Sequence, residues 1–251
     1  MNMELLDAES KNPTWKIDYD SVDDMADNFK AKWTSFSDCI SDASFVGRKF
    51  YTRDEVLTAA RSAWPEGVSI IERMKDALGH VDLPKPVSRQ RRSRFNIEAG
   101  DDVCLDRMRS GQEYWRESKR VMTGGPATVT VCIDMTTSAY VESKDVFWRG
   151  AAGLVFAEIM EQAGYATEII AVTKVRSGMY DGKDVVITSV LKRSGDPIDV
   201  STMSSALSGW FFRTIVFGAF WAPGRPDSGY GWPGPVTSEW AAKTLGIKSN
   251  E

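Results

Sequence analysis

Cations and aromatic side chains are interleaved in two stretches of this sequence. Residues 84–95 hold five cations and no acid and end at Phe95, and residues 114–120 begin with Tyr-Trp and add three cations. Cations can follow the phosphates of a nucleic acid, while aromatic faces stack on unpaired bases for about 1–3 kcal/mol each. The pattern therefore favours binding of single-stranded nucleic acid. The candidate contact residues are Lys85, Arg89, Arg91, Arg92, Arg94, Phe95, Trp115, Arg116, Lys119, Arg120, Trp148 and Arg149.

Tryptophan usage extends this pattern beyond the two stretches. The chain has nine tryptophans, and several, such as Trp148 beside Arg149, are next to a cation. A net charge of −4 excludes a protein that binds duplex DNA by its bulk charge. This net charge is compatible with a local basic groove. The alternative is that the tryptophans are core residues and the arginine run is a solvated linker, and composition alone favours that alternative.

A second motif places one carboxylate and two hydroxyls in a short loop. Asp134, Thr136 and Ser138 directly follow a predicted buried strand. They resemble the metal-adhesion motif DxSxS of von Willebrand factor A domains, which suits Mg²⁺ because this cation prefers oxygen ligands. Asp196 or Asp199 could complete such a site. The alternative, which we favour, is a strand-to-helix turn in which Asp134 caps the next helix. We therefore predict no metal and no cofactor.

Few residues could serve as acid, base or nucleophile. His80 is the single histidine and follows Gly79 at an expected helix end, so a multi-histidine metal site within one chain is excluded. Cys39, Cys104 and Cys132 are widely spaced, which argues for a reducing compartment and against disulfides or a thiolate zinc site. The sequence contains no complete phosphate loop and no GxGxxG. These absences predict a protein that is not an enzyme.

The elements that position these residues change in character at Gly124-Gly125-Pro126. Residues 1–122 are expected to be mostly helical with a basic linker at 84–95, and residues 123–251 to be α/β with an aromatic tail. The predicted class is α/β (α+β), a helical N-terminal half packed on a mixed sheet in the C-terminal half, and not an OB-fold. The expected helices span about 21–33, 53–63, 68–78, 101–121, 144–163, 201–208 and 237–245, and the expected strands span 127–133, 166–175, 184–192 and 213–220.

The aromatic tail leaves two interpretations equally open. A strand followed by a Pro-interrupted aromatic loop could form a stacking or docking surface, or the same residues could be core. The residues concerned are Trp210, Phe211, Phe212, Phe217, Phe220, Trp221, Tyr230, Trp232 and Trp240.

Membrane insertion is not expected from this composition. Apolar residues make up 42% and charged residues 26%, and no apolar run is long enough to span a bilayer. The acidic start, MNMELLDAES, has no apolar core and is not expected to be a signal peptide.

Three stretches resemble a family of phage proteins: FVGRKFYTRDEVLTAARSAWPEGVSIIERM (45–74), DVCLDRMRSGQEYW (102–115) and TVTVCIDMTTSAY (128–140). The family includes the single-stranded DNA-binding RNA polymerase cofactor of podoviruses that carry a virion RNA polymerase, and the resemblance covers about residues 45–220. It implies a non-enzymatic protein with a non-OB fold, acting in the cytoplasm of the infected bacterial host. Its implied partners are melted promoter DNA and a phage RNA polymerase; a homo-oligomer is compatible with this interpretation.

Overall fold

The computed structural model describes residues 1–6, 14–29, 43–79, 81, 83, 94–96, 102–117, 127–138, 140–176, 184–219, 232–234 and 236–246. The strands are β1 (Asn2–Leu6), β2 (Thr14–Tyr19), β3 (Arg94–Asn96), β4 (Asp102–Val103), β5 (Trp115–Glu117), β6 (Thr128–Asp134), β7 (Ala166–Arg176), β8 (Asp184–Lys192) and β9 (Trp232–Pro233). The helices are α1 (Val22–Asp27), α2 (Ala43–Val46), α3 (Arg53–Ala60), α4 (Pro65–Leu78), α5 (Leu105–Arg109), α6 (Ser143–Gln162), α7 (Val200–Ala206), α8 (Gly209–Phe211), α9 (Phe217–Ala219) and α10 (Ser238–Leu245). A π-helical segment, Phe212–Val216, joins α8 to α9.

The main sheet has the strand order β1-β2-β8-β7-β6, and β9 also pairs with β7. The pairs β2–β8 and β6–β7 are parallel, whereas β1–β2 and β7–β8 are antiparallel. The predicted mixed α/β class is confirmed. The finer prediction, a helical N-terminal half packed on a mixed sheet in the C-terminal half, is not clearly borne out, because β1 and β2 bring residues 2–6 and 14–19 into the main sheet.

One face of the main sheet carries the principal core. Ile17 of β2 packs in the same buried cluster as Leu154 of α6 and Phe212 of the π-helical segment. The two expected regions, residues 1–122 and 123–251, therefore share one hydrophobic cluster. Because side chains alternate along a strand, the neighbouring positions point to the opposite face.

The opposite face of the sheet is covered by α10. Ile170, Val172 and Val186 form a small buried cluster there, against which Trp240 and Leu245 of α10 pack. The sheet thus has apolar side chains on both faces, which explains the consecutive apolar residues Ile169 to Val172 of β7 and Val185 to Ile187 of β8.

Capping residues account for where two of the N-terminal helices begin. Thr52 accepts a hydrogen bond from the Glu55 amide at 3.2 Å, and Glu55 in return accepts one from the Tyr51 amide at 2.9 Å. The capping motif expected at the start of α3 is thereby confirmed. Helix α4 begins at Pro65, three residues before its expected start, because the fixed φ of proline suits the first helical position.

Most of the other predicted elements are confirmed, with ends shifted by a few residues. Confirmed strands are those predicted at 127–133, 166–175 and 184–192; confirmed helices are those predicted at 53–63, 68–78, 144–163, 201–208 and 237–245. The first helix, expected over 21–33, ends at Asp27, and residues 30–42 lie outside the described part of the chain.

The strand predicted at 213–220 is wrong. Its β-branched run, Thr214 to Val216, lies in the π-helical segment between α8 and α9. Every residue of that segment is buried, the polar Arg213 and Thr214 included, so the segment lies in the interior of the protein. Burial among neighbouring elements has overridden the intrinsic strand preference of these residues.

The helix predicted over 101–121 is correct only in its centre. Helix α5 is flanked by β4 and β5, and Gly111, with a φ of 69°, makes the turn between α5 and β5. A left-handed backbone of this kind favours glycine and ends the helix.

The described aromatic residues of the tail belong to the core. Trp210, Phe211 and Phe212 are buried in the principal cluster. Trp240 is half-buried on the opposite face. Phe217 is half-buried and packs against the principal cluster. The remaining tail positions, Phe220, Trp221 and Tyr230, lie outside the described residues, as does the side chain of Trp232. None of the described helices is long and apolar enough to cross a membrane.

Candidate nucleic-acid interface

A second, three-stranded antiparallel sheet with the order β3-β5-β4 brings predicted contact residues together. In its register Phe95 pairs with Arg116, and Trp115 pairs with Asn96 on β3 and Val103 on β4. Phe95 from the first basic stretch thus lies beside Arg116 from the second. We call β3, β4, β5 and helix α5 the small sheet unit.

The register of the small sheet unit also pairs one end residue of each basic stretch. Arg94, the first residue of β3, pairs with Glu117, the last residue of β5. We call the neighbouring sequence, residues 84–93 and 118–120, the basic flanks of the unit; they lie outside the described residues.

Helix α5 adds a cation that the sequence analysis did not single out. The guanidinium of Arg107 lies 4.2 Å from the centroid of the Phe95 ring. Its Nε donates a hydrogen bond to the carbonyl of Glu113 at 2.9 Å, which fixes the side chain in place. A cation over an aromatic ring is a stable arrangement worth about 0.5–1 kcal/mol at exposed sites. In the sequence, the only signal for this contact is the pair Arg107 and Arg109, which follows Phe95 in the same part of the chain.

Aromatic rings of the small sheet unit are partly accessible. Phe95, Tyr114 and Trp115 are all half-buried, and the ring centroids of Tyr114 and Trp115 lie 6.0 Å apart. Exposed Leu105 and Met108 lie on the adjoining helix α5. These accessible rings offer faces on which unpaired bases can stack.

Several predicted contacts lie elsewhere or outside the described residues. Lys85, Arg89, Arg91, Arg92, Lys119 and Arg120 are outside them, and for Arg94 and Arg116 only the backbone is described. Trp148 and Arg149 lie on α6, not in the small sheet unit. Trp148 is 47% exposed, whereas Arg149 donates a hydrogen bond to the Thr136 carbonyl at 2.9 Å.

The loop after β6 is held by hydrogen bonds within the protein. Asp134 accepts a bond from the Thr136 amide at 2.8 Å, and the Thr136 hydroxyl accepts one from the Lys174 amide at 2.9 Å. The residue at the N-cap of α6 is Glu142, so the prediction that Asp134 caps this helix is wrong. Asp134 instead closes a local turn inside the loop.

The loop offers little to a metal ion in its present arrangement. The Arg149 guanidinium lies 3.8 Å from the Asp134 carboxylate and offsets its charge. Asp199, one candidate for a further ligand, caps α7 by accepting bonds from the amides of Ser201 and Thr202. Within the described ranges, no three His, Cys, Asp or Glu side chains are grouped closely enough to hold a metal. Cys104 and Cys132 are free thiols. Cys39 and His80 lie outside the described residues.

Comparison with known proteins identifies a family for this chain. Residues 7–247 match the family described as "Domain of unknown function (DUF7192)", and the chain belongs to this family. No curated protein and no solved structure matches the chain.

Proposed function

We propose that this protein binds single-stranded DNA through the small sheet unit and its basic flanks, without catalysing a reaction. The observation that carries the proposal is the register of β3 and β5, since it pairs Arg94 and Phe95 of the first basic stretch with Glu117 and Arg116 of the second. The half-buried rings of Phe95 and Trp115 lie on opposite faces of this sheet, because side chains alternate along a strand, and each face therefore offers one ring for stacking. Single-strand binding requires cations and stacking platforms close together.

The proposed biological role is that of a transcription cofactor. The resemblance to phage single-stranded DNA-binding cofactors supports a protein that holds melted promoter DNA and recruits a phage RNA polymerase. Such a protein would act in the cytoplasm of the infected bacterium, with DNA and polymerase as its partners.

A titration with fluorescently labelled oligonucleotides tests the DNA-binding proposal. We expect tighter binding to single-stranded DNA than to a duplex of the same sequence, with little dependence on sequence, because stacking requires unpaired bases. Affinity should fall steeply as salt rises, since each neutralised phosphate releases counterions. Equal affinity for duplex and single strand would exclude this function.

A charge-matched pair of variants tests which surface binds. In the first, Arg89, Arg91, Arg92 and Arg94 are changed to Ala; in the control, the exposed Arg61, Arg73, Arg193 and Lys243 are changed to Ala, which lowers the net charge equally. We expect only the first to weaken binding across all sequences and to reduce the salt slope, by about 0.7 for each phosphate that is no longer neutralised. Equal effects in the two variants would show that total charge, and not this surface, governs binding.

A second candidate function is a metal-dependent protein-interaction module of the von Willebrand factor A type. The observation that favours it is the position of Asp134, Thr136 and Ser138 at the carboxyl end of β6, beside the parallel strand β7. A magnesium titration followed by thermal unfolding tests it. A melting temperature raised by several degrees in wild type and unchanged in Asp134→Asn would support the metal site. We expect no rise, because Arg149 already lies beside the Asp134 carboxylate.

A further inference from the structure

A groove on the main body contains a second set of cations and aromatic rings. It encloses about 940 Å³ between the segment joining α2 to α3 and the side chains of Trp64 and Trp210. A smaller cavity of about 480 Å³, with the start of α6 on its wall, shares Gly47, Trp64 and Trp210 with it. We call these two spaces together the Trp210 groove. Their volumes are in the range of small-molecule sites and are large enough for a nucleotide.

Two exposed cations border the Trp210 groove without a carboxylate partner among the described residues. The guanidinium of Arg48 lies 5.1 Å from the ring centroid of Phe50 and 5.9 Å from that of Trp210. The ammonium of Lys49 lies 4.9 Å from the ring centroid of Tyr51. Tyr51 does not line the groove but lies at its rim, between the lining residues Phe50 and Thr52, and is 70% exposed, so its ring is open to a ligand. Phe50 and Trp210 are each only 2% exposed, so Tyr51 is the one of these three rings that solvent reaches. A cation beside an accessible ring suits a phosphate next to a stacked base.

The acids that line the Trp210 groove lie where helix dipoles offset them. Asp54 and Glu55 are in the first turn of α3, and Glu66 is in the first turn of α4. Glu142, at the N-cap of α6, is paired with Lys144 at 2.6 Å. The amino end of a helix carries a partial positive charge, and Glu55 is also held by its hydrogen bond from the Tyr51 amide. These carboxylates therefore oppose a phosphate less than their number suggests.

The wall of the groove also presents an unsatisfied donor. Trp210 is 2% exposed, and its indole N–H has no hydrogen-bond partner in the described part of the chain. A buried donor without an acceptor costs free energy, and an acceptor atom of a ligand that reached it would remove that cost.

We propose that the Trp210 groove and its rim bind a nucleotide of single-stranded DNA, with its phosphates at Arg48 and Lys49 and a base stacked on Tyr51 at the rim. This inference rests on the proposed function and adds a second contact to it, on the main body and apart from the small sheet unit.

Three variants and a control test the groove. Tyr51→Ala removes the stacking face and Tyr51→Phe keeps it; Arg48→Ala/Lys49→Ala removes the two cations, and Arg73→Ala/Arg193→Ala is the charge-matched control. The residues changed are exposed, and thermal unfolding checks that each variant folds. The readout is the dissociation constant for labelled single-stranded oligonucleotides at several salt concentrations.

We expect Tyr51→Ala to weaken binding about tenfold and Tyr51→Phe to bind like wild type, because stacking on one ring is worth about 1–3 kcal/mol. The double alanine variant should reduce the salt slope by about 1.4, that is about 0.7 for each of two phosphates, and the control should not. Wild-type affinity in both Tyr51→Ala and the double variant would overturn the groove inference and assign this surface to something other than DNA. If wild type itself fails to bind single strands, the proposed function fails first; if Trp115→Ala weakens binding while the groove variants do not, only the groove inference fails.

Discussion

At the scale of single residues, Arg213 is an unusual core side chain because it is a cation with only 1% of its surface exposed. Its guanidinium donates hydrogen bonds to the carbonyls of Phe45, Ser138 and Val141, and it lies 4.4 Å from the ring centroid of Phe45. Burial lowers the pKa of Arg213, but an arginine stays charged in a protein. The side chain thus ties the loop after β6 to helix α2.

We expect Arg213→Met to lower the free energy of unfolding by roughly 3 kcal/mol or more, since hydrogen bonds to a charged group contribute about 1.5–3 kcal/mol each and their removal leaves buried carbonyls unsatisfied. Arg213→Lys should be nearly as harmful, because one ammonium cannot reproduce the planar fork. Urea denaturation measures both, with the exposed Arg193→Met as control. A decrease below about 1 kcal/mol in Arg213→Met would show that these bonds do not hold the loop.

At the scale of elements, the helical run from α8 to α9 packs closely against the segment after α1. Gly218 in α9 faces the Phe29 ring, and a Cβ added there would overlap the ring atoms Cε2 and Cδ2. Phe29 is fully buried, so the ring has little room to move aside. This close approach means that α9 and the segment after α1 pack against each other in the same part of the core.

Helix propensity and core packing predict opposite effects of Gly218→Ala on the free energy of unfolding. Alanine is favoured over glycine in a helix by about 0.8–1.0 kcal/mol, whereas overpacking of a core costs about 1–3 kcal/mol. We expect the clash to dominate, so that Gly218→Ala lowers the denaturation midpoint in urea. In the Phe29→Leu background, Gly218→Ala should destabilise less than it does in wild type, because the smaller side chain admits the methyl group. Strictly additive effects would contradict this packing.

At the scale of the whole molecule, carboxylates on several elements stabilise the fold in their charged form. Partial burial acts to raise the pKa of Glu161, but hydrogen bonds from Lys192 and Thr167 outweigh it and lower the pKa. A hydrogen bond from the Thr202 hydroxyl lowers the pKa of Asp199 at the start of α7. These groups connect α6 to the sheet and begin a helix, so their protonation weakens interactions in different parts of the protein.

Lowered pKa values set the direction of the pH dependence. A carboxylate whose pKa is lower in the folded state contributes stability above its unfolded pKa and loses it as the pH falls through the folded pKa. As the pH is lowered from about 5 to about 3, we expect the free energy of unfolding to decrease, since the pKa values of unfolded Glu and Asp are about 4.3 and 3.9. Glu161→Gln should reduce this decline, and urea denaturation across this range measures it. An identical decline in Glu161→Gln and wild type would show that Glu161 is not linked to folding.

The sequence by itself determined those elements whose signals are local. The capping motif at Thr52 and Glu55 predicted α3, and the apolar, β-branched runs of β6, β7 and β8 predicted three central strands. It also indicated which residue types could bind DNA, because cations and aromatic residues are interleaved along the chain. Each of these signals depends on residues within one turn or one strand, so no distant contact was needed to read them.

Only the tertiary structure decided features that depend on distant contacts. The run from Thr214 to Val216 is helical because it is buried on all sides, and β2 brings β1 into the main sheet by long-range pairing, such as Asp18 with Thr188. The same applies to the candidate sites: the register of β3 and β5 brings the two basic stretches together, and Trp210 reaches the groove beside Arg48 from far along the chain. Long-range pairing depends on the summed free energy of many burial contacts, which local propensity does not contain.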